Sequence, residues 1–337
     1  MTKNSIFILL YAAIALVSCQ KKETEKLSSN SLTASSNATQ LSAFLRYYYK
    51  GPGVGNIFSG YGNNGFAWNS IFVNDGGAAQ GSPTATVFNG NIYEFHRGKT
   101  SNNLYYGYST DAGDSWTTAV PLGNNAATAG DPSACTFAGK MFLAYSSTSF
   151  QLGNNSTPIY YSYSSDGQNW TQVVLPYTSW GDPYIFTFNN GIHILYCNTH
   201  NPVPVFTILS SGDGINWTKG PQLNIGYFRY AAAASTLAGP SNPIRTVIIG
   251  ADAGGQLQST VSTDLVNWTT PVKITTASGQ LAYSSRRPAI SPSGVVAIYK
   301  AKTNNNIIYA LPGGLGYIEQ ANAVGTTDES PFLIEYP

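Results

Sequence analysis

Two aspartates carry the first chemical signal in this chain. Asp131 and Asp182 each sit in a Gly-Asp-Pro triplet, G-D-P-S-A-C-T-F and G-D-P-Y-I-F-T-F. In both, the residues that follow read as a short strand, with Pro tolerated at its first position. Two carboxyls about 5 Å apart, or about 6.5–9.5 Å apart, can attack one acetal carbon, as acid and nucleophile or as acid and base. That division of labour needs one carboxyl to keep its proton while the other stays ionised. The competing reading is local: an Asp side chain bonds a turn amide and Pro opens the strand. Glu329, in E-S-P-F-L-I-E-Y, is a third candidate carboxyl.

Cations and aromatics supply the rest of a possible site. Arg229, Arg286 and Arg287 are planar forks suited to a carboxylate or another anionic group, if they are not spent neutralising the aspartates. Trp180, two residues before Asp182, and Tyr230, beside Arg229, offer flat faces on which a pyranose ring packs. His96 and His200 are further substrate-binding candidates, while His193 alternates with apolar residues in G-I-H-I-L-Y and reads as structural. No Cys/His cluster has zinc spacing, so no metal site is expected, and no cofactor is implied. Cys135 and Cys197 lie in apparent strands of different repeats and read as buried free thiols.

These residues need a scaffold that brings distant stretches together, and the chain carries one. Trp68, Trp116, Trp170, Trp217 and Trp268 recur at spacings of 48, 54, 47 and 51 residues. Four of them end a phrase of one kind: S-T-D-A-G-D-S-W, S-S-D-G-Q-N-W, S-G-D-G-I-N-W and S-T-D-L-V-N-W. A period near 50 built from short β-rich runs predicts a propeller of four-stranded blades. Each repeat reads as a strand opened by Pro, an aromatic-rich second strand, a third strand, the Asp turn, and a fourth strand opened by Trp. The predicted fold class is all-β: six four-stranded antiparallel blades, the N-terminal one completed by the strand near Glu329–Tyr336. Five blades plus a separate hairpin is the alternative. In such a wheel, first-strand starts and second-strand ends meet at the top of the central channel, where Asp131, Asp182, Arg229, Arg286, Arg287, Glu329, His96 and His200 all fall. The Asp turns would lie at the bottom, so Asp111, Asp166, Asp213 and Asp264 read as turn-formers rather than catalysts.

The phrase Ser-x-Asp-x-Gly-x-x-Trp resembles the Asp-box of sialidases and related six-bladed propellers, and Ser109 to Trp116 matches it in full. The turns S-S-D-G-Q-N-W and S-T-D-L-V-N-W, and the Asp-Pro openings, are similar to those of arabinanase-type and invertase-type glycosidase propellers. Arg286-Arg287-Pro288 faintly resembles the Arg-Ile-Pro motif of sialidases, although it falls in the fifth full repeat rather than the first, has a charged second residue, and has no assignable Tyr/Glu nucleophile pair. The resemblance implies a glycan-recognising propeller and a glycoside hydrolase acting on an anionic (sialic or uronic acid) or arabinose-type glycan. The rival is a non-catalytic, lectin-like glycan binder. Channel positions that differ from blade to blade favour one central site over repeated ones.

The first residues set an address. Lys3 precedes an apolar run from Ile6 to Val17 that ends in L-V-S-C. So short a run reads as a secretory signal rather than a membrane span. L-V-S-C resembles a bacterial lipobox, which implies a signal peptide over 1–18, lipidation of Cys19, and a bacterial cell-envelope lipoprotein at the outer membrane or cell surface. Residues 19–40 are polar and Ser/Thr-rich, a flexible tether, and 41–337 form the propeller. With a net charge of +1 and 10% charged residues, no polyanion-binding field and no nucleic-acid partner are expected. The expected partners are a glycan and, through Cys19, a lipid membrane; the protein is expected to be a monomer.

Overall fold

Six short strands rich in small and apolar residues line a common axis, and the molecule is built outward from them. The computed structural model describes residues 44–336 apart from 54, 64–68, 74–77, 150–155, 200–203, 226–227, 229, 237–243, 277, 295 and 314–315. The signal, tether and Cys19 lie outside the described residues, as do Trp68, His200 and Arg229.

The described residues form six sheets; five are antiparallel throughout, and in blades 2 to 5 the strands run in sequence order from the axis outward. Blade 2, for example, runs Thr84–Phe88, Asn91–Arg97, Leu104–Ser109 and Val120–Pro121. The innermost strands of blades 2 to 6 are Thr84–Phe88, Ser133–Phe137, Tyr184–Phe188, Tyr230–Thr236 and Ala289–Ile290. Blade 1 takes its innermost strand, Phe332–Tyr336, from the far end of the sequence and pairs it with Phe44–Lys50. The six innermost strands touch in cyclic order, so the ring is closed and six blades, not five, form the wheel. Blade 6 departs from the four-stranded expectation. Thr275–Thr276 adds a fifth strand, parallel to the outermost Gly316–Thr326. The repeat there lacks an Asp turn and closes instead through a tight hairpin between Asn306–Gly313 and Gly316–Thr326.

The repeated phrase has the physics its composition implies. In each turn the Asp carboxylate accepts amide bonds from the residues after it: Gln168 and Asn169 to Asp166, Ile215 and Asn216 to Asp213, Val266 and Asn267 to Asp264. The side-chain amides of Asn169, Asn216 and Asn267, with these backbone donors, hold the Asp166, Asp213 and Asp264 carboxyls well below the usual range, and the hydroxyl and amide of Ser115 hold Asp111 at about 2. Three of the tryptophans wedge against the blade before them. Trp170 stands edge-on to Phe95 at 5.4 Å, Trp217 lies 5.6 Å from Tyr161, and Trp116 lies 6.0 Å from Tyr48. Trp170 is 7% exposed, so Trp170→Ala should cost about 3–5 kcal/mol. A urea-unfolding midpoint that barely moves would contradict the wedge role. Cys135 and Cys197 are free thiols whose ionisation burial suppresses.

Candidate functional site

The described starts of the innermost strands gather at one end of the axis. That end holds a cavity of about 300 Å³ with walls from all six blades. Gly81 and Arg97 come from blade 2, Ala129 to Asp131 from blade 3, Asp182 from blade 4, Tyr230 from blade 5, Arg286 and Arg287 from blade 6, and Glu329 and Ser330 from blade 1. Remote carboxylates and guanidinia thus share one pit.

A belt of hydrogen bonds fixes the aspartates across four blades. The Ser330 amide donates to Ser82 Oγ at 2.9 Å, and Ser82 Oγ donates to Asp131 Oδ2 at 2.5 Å. The Ser82 amide reaches Asp131 Oδ1 at 2.9 Å, and the Asp131 amide reaches Asp182 Oδ1 at 3.1 Å. Gly81 is required beside this clamp, because a Cβ there would stand 2.7 Å from Asp131 Oδ1.

Two of the carboxyls are raised. Burial, then the Asp131 charge, pushes the Asp182 carboxyl well above the usual carboxylate range, against the pull of Arg287 and Arg97. Burial and the same Asp131 charge push Glu329 up to about 7. Glu329 also stands 3.4 Å from Arg286 Nε and remains partly open to the cavity. Around the rim, Lys50 pairs with Asp328 at 2.7 Å.

The cations divide into two kinds. Arg286 faces Glu329 and donates to the Asp328 carbonyl at 3.2 Å. Arg287 is 4% exposed, donates to the Pro132 carbonyl at 3.2 Å, and lies 5.4 Å over the Tyr184 ring. Arg97 donates to the Ala129 carbonyl.

Of the residues singled out in the sequence, the pit therefore brings together Asp131, Asp182, Glu329, Arg286, Arg287 and Tyr230. Two others lie elsewhere. His96 is buried within its blade, its Nδ1 2.9 Å from Glu94 Oε2 and its ring stacked on Tyr105. Strand alternation is the reason: Glu94 and His96 share one face of Asn91–Arg97, and the next residue, Arg97, reaches the cavity instead. Trp180 packs half-buried against the large hydrophobic cluster and does not line the pit. Arg97 and Ser82 stand at the same strand-end positions as the residues singled out, yet their roles, a pit wall and a clamp on Asp131, are visible only in the structure. A Glu-x-His pair on one strand face was the available hint that His96 already had a partner.

No family model matches the chain, and neither does any curated protein sequence. Solved structures do. A lectin of Aleuria aurantia in complex with Fucα1-6GlcNAc superposes with a TM-score of 0.62 at 15% identity, over 85% of this chain and 94% of that one. AofleA from Arthrobotrys oligospora gives 0.59 at 13% identity, over 87% and 89%. A Hadza microbial sialidase gives 0.52 at 11% identity, over 83% and 59%. At these identities the likeness speaks to the fold, the six-bladed propeller.

Proposed function

We propose that the axial pit binds the end of a glycan and hydrolyses a glycosidic bond. The carrying observation is the convergence of three carboxyls, Asp131, Asp182 and Glu329, on one small cavity. Asp131, clamped by Ser82, acts as the base or nucleophile. Glu329, the raised carboxyl open to the cavity, donates the proton to the leaving oxygen, and Asp182 holds the Asp131 backbone in place. The Ser-x-Asp turns and the superposition on a sialidase propeller support this reading. Superposition on fungal lectins supports the second reading, a glycan binder without turnover. As part of the same proposal the protein is a monomeric lipoprotein, tethered through Cys19 and residues 19–40 to the outer membrane or cell surface of a bacterium.

The deciding experiment incubates residues 41–337 with aryl glycosides and polysaccharides. Turnover supports the hydrolase; saturable binding without turnover supports the lectin. An acid catalyst must be protonated, so kcat should fall as pH rises through about 7, the value to which Glu329 is pushed. Stability should shift in the same window. A carboxyl raised from 4.5 to about 7 makes the folded state hold more protons between those values, so its contribution weakens as pH climbs through them. Glu329→Gln should abolish the alkaline limb. It should slow substrates with poor leaving groups by about 10²–10³-fold and activated aryl glycosides far less. Equal losses on both would remove Glu329 as the proton donor.

A further inference from the structure

Where the chain passes from blade 5 to blade 6, across the end of the wheel that holds the pit, its alternation is inverted. Leu281 and Tyr283 are 37% and 39% exposed, while Ala282 and Ser284, which alternate with them, are 2% and 1% exposed. An extended stretch ordinarily turns its large apolar side chains inward and its small or polar ones out. Here a methyl and a hydroxyl are inside, and a leucine and an aromatic ring face water. The chain has 23 Tyr, 15 Phe and 6 Trp. Among the described residues, Tyr283 is the one aromatic side chain exposed to this degree. Packing does not account for that choice of residues.

The stretch is held from both sides. In blade 5, the Ser284 amide donates to the Gly255 carbonyl at 2.7 Å, and the Leu257 amide donates to the Ala282 carbonyl at 2.9 Å. From blade 6, the Lys302 amide donates to the Tyr283 carbonyl at 3.2 Å. Gly255 permits the approach, because a Cβ there would stand 2.5 Å from the Ser284 carbonyl oxygen. Lys302 Nζ lies 5.6 Å from the centre of the Tyr283 ring and donates to the Gly254 carbonyl, which braces the ring. A ring fixed in advance loses little freedom when a ligand packs on it. The platform is also continuous with the pit. Arg286, which lines the pit, follows Tyr283 by three residues, so their Cα atoms are no more than about 11 Å apart. Between them, Ser284 Oγ donates to the Arg286 carbonyl at 2.8 Å. A cavity of about 300 Å³ is at the small end for a ligand site, so a longer glycan must leave it over the rim.

We propose that Tyr283 and Leu281 form a second subsite, outside the pit, that packs against a further sugar unit of a glycan whose end occupies the pit. This rests on the reading of the pit as a glycan site, and it adds a preferred length: the ligand is an oligosaccharide rather than a single sugar. The chemistry is the apolar C–H face of a sugar ring on a flat aromatic face, with Leu281 widening the platform and the Tyr283 hydroxyl offering a polar tip. It is indifferent to the charge of the sugar in the pit.

The test compares short and long ligands on the full chain by titration calorimetry. The probes are methyl glycosides of arabinose, galactose, glucuronic acid and N-acetylneuraminic acid, each alone and as the end of a trisaccharide. Wild type and Asp131→Asn are titrated in parallel, the latter so that a hydrolase consumes no ligand. At least one trisaccharide should bind about tenfold or more tightly than its own monosaccharide. Tyr283→Ala should bring that trisaccharide to within about twofold of the monosaccharide and leave the monosaccharide unchanged, while Tyr283→Trp should keep the gain. Equal affinity for short and long probes overturns the inference and leaves the glycan site standing. Equal loss on both probes in Tyr283→Ala also overturns it, because the ring would then be supporting the pit rather than a subsite. A wild-type dimer in sedimentation that Tyr283→Ala dissolves assigns the platform to a second copy and overturns it as well. Neither binding nor turnover of any probe removes the inference and the glycan reading together.

Discussion

Asp131→Asn should lower turnover by at least about 10³-fold while leaving the fold intact. The substitution keeps shape and an acceptor for the Ser82 amide. A hydroxyl has two lone pairs, so Ser82 Oγ can receive the new amide while still accepting from Ser330. What disappears is the carboxylate oxygen that the proposed reaction uses as base or nucleophile. A second signature follows from the charge itself. Asp131 is the second cause, after burial, of the upward shift at both Asp182 and Glu329. Without it both carboxyls ionise more easily, so any residual activity should lose its alkaline limb at lower pH than the wild type. Asp111→Asn, in an exposed turn at the opposite end of the blade, should leave turnover unchanged and is the control. Activity within tenfold of wild type for Asp131→Asn would exclude this residue from the chemistry.

The largest stability effect should come from cutting the chain after Pro331, which spares Glu329 and removes only the closing strand. Phe332, Leu333 and Ile334 are 4%, 1% and 3% exposed, and their strand pairs with Phe44 to Tyr48. At about 1.5–3 kcal/mol per buried side chain, three together approach the whole stability of an ordinary domain, about 5–15 kcal/mol. The shortened chain should show no cooperative thermal transition by circular dichroism. Leu333→Ala, a milder cut at the same seam, should cost about 2–5 kcal/mol. A truncated chain that melts within a few degrees of the intact one would mean that blade 1 stands without its inner strand.

Much of this was legible before any coordinates. The Trp spacing and Asp turns declared a wheel because each unit is local: an Asp gathering its own turn amides and a Trp wedging the neighbour. The two Gly-Asp-Pro triplets could be placed at the axis because blade phase is regular. Closure by Glu329–Tyr336 could be read because blade 1 lacked a first strand. What could not be read is direction within a strand. His96 and Arg97 differ by one residue, yet one is spent on Glu94 and the other faces the cavity. Nor does composition reveal that Ser82 spans blades to hold Asp131. Blade 6 was the least legible, because its hairpin abandoned the phrase that marks the others.

The seam that closes blade 1 also sets a timetable. Lys50 and its partner Asp328 lie 278 residues apart. At about 5–20 residues per second, ribosomes take about 15–55 s to deliver that stretch. Throughout this interval the edge of Phe44–Lys50 that Phe332–Tyr336 will occupy stands bare, a template for any passing strand. Glu329 arrives only as the gap is sealed, so a half-made copy has no pit. The cavity is therefore complete only in a finished chain, at the expense of a long vulnerable youth.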